Sequence, residues 1–151
     1  DIKKSFGEEF FDENGKLIRK KLGDVIFRDC DKRVILERIM IPIIKKEIFK
    51  QFDQYNRKGD SIVVLDAPTL IEQGIHRDMD VNILVFIEKC IQIERVMARD
   101  GLTKEQVINR INAQMPLEEK RKFADFVIDN SKSITEVKAQ LDVVFKTIQN
   151  K

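Results

Sequence analysis

The stretch 92-QIERVMARDGLTKEQVINRINAQMPLEEKRKFADFVIDN-130 decides how this chain is read, because it sets spaced arginines on two short helices joined at a glycine and runs on into an apolar strand. Arg95 and Arg99 stand one turn apart and share a helix face, and Gln92 and Arg110 add donors around the same space. A guanidinium fork holds phosphate oxygens bidentately and keeps its charge at any physiological pH, so the pattern suits a mobile phosphate-gripping lid. The alternative is that these arginines only solvate helix surfaces, the common state of arginine on a helix.

The local signals in this stretch are specific. Thr103 and Gln106 spell a capping box, and Leu102 with Val107 spells the hydrophobic staple that accompanies it. Val107, Ile108, Ile111 and Met115 then form an apolar stripe, while Pro116 opens a second helix whose positive end is favoured by Glu118 and Glu119. Gly101 reads either as a hinge between the arginine-bearing helices or as a helix C-cap.

Outside the stretch, 61-SIVVLDAPTL-70 reads as a strand without alternation, as expected where a parallel sheet buries both faces. Residues 80–87, DVNILVFI, and 126–129, FVID, read as two more strands. Asp66 closes the first of these at its carboxyl end, the edge where ligands bind in open α/β sheets. There it reads as a partner of magnesium or its waters, or as a turn residue before Ala67-Pro68.

Taken in order, FGEEFFDENGKLIRKKLGDVIF, DAPTLIE, QIERVMARDGL, RINAQ and ADFVIDN resemble the dephospho-coenzyme A kinases, over essentially all of residues 5–149. The resemblance implies a three-layer α/β P-loop kinase fold with a parallel sheet, a helical acceptor domain and a small helical lid. It implies four segments: an acceptor-side helical region at 1–57, core sheet at 58–91, lid helices at 92–122, and a last core strand and helix at 123–151. The implied reaction moves the γ-phosphoryl of MgATP to the 3′-hydroxyl of dephospho-coenzyme A. Arg95, Arg99 and Arg110 are the catalytic candidates, with Arg95, Asn130 and Ser131 at ATP, Arg19, Pro68 and Leu70 at the acceptor, and Asp66 at Mg2+. A departure occurs at Ile41-Pro42, where the family usually has His-Pro.

A P-loop needs G-x-x-x-x-G-K-[ST], and the six glycines here, Gly7, Gly15, Gly23, Gly59, Gly74 and Gly101, form no such pair. Gly15-Lys16 belongs instead to the Asn14-Gly15 turn. The expectation is a truncated kinase without turnover as it stands, with the segment carrying its first strand lying outside these residues. In the resembled family that strand lies between those matching Ile62–Leu65 and Val81–Ile87, so the two strands are expected to close up on each other or to accept a partner chain, by homo-oligomer formation or strand exchange. The competing readings are a P-loop kinase for another nucleotide acceptor and a non-catalytic interaction fragment.

Composition fits one globular domain: 151 residues, 42% hydrophobic and 36% charged. Twenty-eight basic and 26 acidic side chains leave a net charge of +2, which makes no case for a nucleic-acid or membrane partner. Cys30 and Cys90 lack metal-ligand spacing, His76 is the only histidine, and two isolated cysteines suit a reducing cytoplasm. Helical periodicity runs through residues 1–57, with a turn at Asp12–Gly15 and a break expected near Pro42. The last helix, opened by a Ser133–Glu136 capping box, is expected to pack Val137, Leu141, Val144, Phe145 and Ile148 into the core.

Overall fold

The computed structural model describes residues 1–150, which divide after Pro68 into two compact units. The first holds α1 (Ile2–Phe6), α2 (Arg19–Ile26) and α3 (Cys30–Lys58). Its start is shaped by a turn in which Asp12 Oδ1 accepts from the Asn14 and Lys16 amides and Gly15 takes a φ of 74°, while Phe11 bridges to Leu17 across it. Phe10 and Leu22 are the buried apolar side chains of this unit, and Lys21 donates to the Glu9 carbonyl at 2.6 Å.

The expected break near Pro42 does not occur. Asp29 caps the start of α3 by accepting from the Lys32 amide, Gly59 ends it with a φ of 80°, and Pro42 lies inside the continuous helix. Proline has no N–H to give to the residue four places earlier, a cost of about 3 kcal/mol in a helix interior. Twenty-nine residues of helix absorb that defect, because the turns on either side keep their own bonds.

The expected strand at Ile62–Leu65 is also absent. Residues 61–68 form no regular element, and Ile62, Val63 and Val64 are exposed, Val64 by 83%. Burial on both faces needs hydrogen-bonded neighbours and covering layers, and no strand pairs with this segment among the described residues.

The second unit contains β1 (Ile83–Phe86), α4 (Lys89–Asp100), α5 (Lys104–Asn112), α6 (Leu117–Lys120), β2 (Phe126–Asp129) and α7 (Ile134–Gln149). The strand expected over 80–87 is trimmed to 83–86, while the one at 126–129 has the expected bounds. The two pair in parallel, Ile83 with Phe126 through Phe86 with Asp129, across a crossover built from α4, α5 and α6. Leu84, Ile128, Ile75, Val107 and Val144 make up the buried apolar core of this unit.

Side chains finish the sheet where backbone partners run out. Gln140 on α7 accepts from the Asp129 amide at 2.9 Å and donates to the Asp129 carbonyl at 3.2 Å, so one amide group serves an otherwise open strand end. Only part of the expected face of α7 is core: Val144 is buried, but Leu141 is 45% exposed and Phe145 50% exposed. A two-stranded sheet is too narrow to cover a sixteen-residue helix along its length. No helix is long and apolar enough to cross a membrane among the described residues.

Candidate functional site

The arginine-bearing helices expected over 92–122 begin with α4 and α5. Glu88 is the N-cap of α4 and its amide donates to Ser131 Oγ at 2.9 Å, which ties the start of the arginine-bearing helix to the loop after β2. Gly101 ends α4 with a φ of 63° and is a C-cap in this structure. Both halves of the Thr103–Gln106 capping box are formed, at 3.3 and 3.0 Å, so α5 starts where the sequence says it does. Pro116 caps α6 from just outside rather than occupying its first turn.

Arg95 reaches across from α4 and donates through Nη1 to the Asn130 carbonyl at 2.8 Å. The same loop is held from below: Asn130 donates its amide to the Phe86 carbonyl, and Ser131 donates its amide to Asp129 Oδ1. Those bonds from Ser131 keep the Asp129 carboxyl below its ordinary pKa.

Arg99 and Arg110 meet on one carboxylate that sequence reasoning did not single out. Asp100 accepts from Arg99 Nε at 2.7 Å and Nη2 at 3.1 Å, and from Arg110 Nη1 at 3.3 Å. The hydrogen bond from Arg99, together with the charges of Arg99 and Arg110, depresses the Asp100 pKa, and the same bond raises that of Arg99. A carboxylate at a helix C-terminus faces the negative end of the helix dipole, so Asp100 is stabilised there by the guanidinium groups. Its position between two arginines was the available signal.

An ion pair with one buried partner lies in the same unit. Lys120, 4% exposed, donates to Glu72 Oε1 at 2.8 Å, and the same oxygen accepts from the Met115 amide at 3.1 Å. Met115 also lines an open cavity of about 480 Å³, together with Phe86, Gln92, Ile111, Gln114 and neighbouring residues. No sequence signal joined Glu72 to Lys120.

The remaining candidates divide between the two units. Arg19 is the first residue of α2 and exposed, Pro68 lies at the end of the first unit, and Leu70 lies in the second. Asp66 is exposed in the irregular segment of the first unit. Among the described residues no three carboxylate, histidine or cysteine side chains come together as a metal site. A lone carboxylate such as Asp66 fits Mg2+ only where phosphates and waters supply most of the ligands.

A family model described as "Dephospho-CoA kinase" matches residues 1–136. The dephospho-CoA kinase of Clostridium tetani is 43% identical over 97% of this chain, which spans 65% of that protein, and that of Bacillus licheniformis is 42% identical over 99% of the chain and 74% of its own length. Among solved structures, dephospho-CoA kinase from Campylobacter jejuni superposes with a TM-score of 0.63 at 28% identity, covering 97% of this chain and 73% of that one. A match over most of the chain, relatives above 40% identity and a shared fold converge on one conclusion: the chain belongs to the dephospho-CoA kinase family.

Proposed function

We propose that these residues form the lid and acceptor-side parts of an enzyme that transfers the γ-phosphoryl of ATP to the 3′-hydroxyl of dephospho-coenzyme A. The observation that carries this reading is the 2.8 Å bond from Arg95 to the Asn130 carbonyl, which joins the lid helix to the loop after β2. That bond fixes the guanidinium plane beside Asn130 and Ser131, where it offers a flat cationic face to a purine base. Arg99 and Arg110, already gathered on Asp100, serve the transferring phosphoryl. Phosphoryl transfer asks a protein mainly for positioning and for neutralising charge on the moving group, and paired guanidiniums supply both.

Arg19, Pro68 and Leu70 are assigned to the acceptor. Asp66 would hold Mg2+ through one oxygen or a bound water, and the ion would supply charge neutralisation at the phosphates. Cys30 and Cys90 are free and exposed, which favours a reducing, cytoplasmic setting. No G-x-x-x-x-G-K-[ST] occurs among these 151 residues, so on their own they are assigned ligand binding without turnover.

Calorimetry on this chain tests the reading: ATP should bind, and Arg95→Ala should weaken it by about tenfold, near the worth of one good charge-assisted contact. Equal affinity in both proteins, or family-like turnover by the 151 residues in a coupled assay, refutes the corresponding part.

A further inference from the structure

Lys120 is the one buried charged residue among those described, and it pairs with Glu72. A buried ion pair gives a fold little net stability over an apolar pair of the same volume, because desolvating two charges offsets their attraction. Such a pair is better explained by what it holds in place. Glu72 Oε1 takes two donors, the Lys120 ammonium and the Met115 amide, and so pins both ends of the segment Met115–Lys120. Met115, Pro116, Leu117 and Glu118, between the two pins, form a wall of the 480 Å³ cavity.

The same cavity is also lined by Phe86 on β1 and Gln92 on α4. Glu72 thus holds one part of the cavity lining in place. Gln92 looks into the cavity, whereas Arg95, three residues on, reaches the loop at Asn130. One turn of α4 therefore separates the cavity from the proposed nucleotide-donor site, and a phosphoryl transfer needs two adjoining sites of that kind. The cavity mixes apolar surface from Phe86, Ile111 and Met115 with the amides of Gln92 and Gln114, which suits a purine nucleoside read through its edge.

We propose that Glu72 is a positioning residue for the acceptor: by holding the Met115 amide it keeps the cavity wall at the spacing that receives the nucleoside end of dephospho-coenzyme A. The inference rests on the kinase reading above and adds to it a location and a residue.

Two uncharged pairs separate positioning from stability. E72Q/K120M removes both charges but keeps an oxygen for the Met115 amide, while E72L/K120M removes that oxygen as well. Melting temperature reports whether each is folded, and calorimetry with dephospho-coenzyme A and with ATP, as separate titrants, reports the two sites. The expected result is at least tenfold weaker dephospho-coenzyme A binding for E72L/K120M, rescue in E72Q/K120M, and ATP affinity unchanged in both. In the unaltered chain, dephospho-coenzyme A should slow hydrogen exchange at the Met115 amide and ATP should not, a measurement that needs no variant to fold. Unchanged binding by E72L/K120M, equal losses for both titrants, or no change at the Met115 amide overturns the proposal. Failure of the unaltered chain to bind either titrant overturns the kinase reading and this inference with it.

Discussion

Lys120 Nζ lies 2.8 Å from Glu72 Oε1, in a side chain only 6% exposed against one 17% exposed. Removing one partner of such a pair leaves the other charge without compensation. Lys120→Ala is therefore expected to destabilise the second unit by about 3 kcal/mol or more, read as a lower urea midpoint. A change under about 1 kcal/mol would mean that water reaches Glu72 freely and that the pair is no strut.

Asp100 links Arg99 on α4 to Arg110 on α5. Its pKa is depressed in the folded chain by the hydrogen bond from Arg99, so the pairing contributes stability above the ordinary carboxylate value of about 3.9 and loses it as pH falls through the lower folded value. A carbon-detected NMR titration should place the Asp100 midpoint below about 3.9, and Arg99→Ala should move it upward. A midpoint unmoved by that substitution would show that the bridge does not form in solution.

Arg99 and Arg95 are expected to fail differently in a chain that joins these residues to a phosphate-cradling loop. Arg99→Ala should lower kcat by about a hundredfold through lost charge stabilisation in the transition state. Arg95→Ala should act chiefly on KM for ATP, since its contact is with the Asn130 loop. Normal kinetics in both variants would return these arginines to the role of surface solvation.

The capping boxes offer a stability test apart from chemistry. Thr103 accepts from the Gln106 amide at 3.3 Å and Ser133 from the Glu136 amide at 3.3 Å, and each box is closed reciprocally. Thr103→Ala and Ser133→Ala should each cost about 1 kcal/mol in urea unfolding, and the two should add because they cap different helices. A double variant that departs from additivity by more than about 0.5 kcal/mol would indicate that α5 and α7 are coupled.

What the sequence determined by itself is what closes within a few residues. The boxes at Thr103 and Ser133 and the turn ending at Gly15 follow from hydrogen bonds or steric limits set by near neighbours. Motif order likewise pointed to the family, because several short patterns in one succession need no knowledge of packing. The tertiary structure decided the rest. An apolar run at Ile62–Val64 looks like a strand, but a strand exists only when a neighbour takes its hydrogen bonds. Pro42 looks like a stop, yet the turns on either side carry the helix through it. Asp100 joins arginines from two helices, Arg95 meets a carbonyl 35 residues away, and Glu72 meets an amide 43 residues away. Such contacts depend on how the elements pack, and residue spacing carries no record of that, because the entropy of closing a long loop is repaid only by the assembled fold.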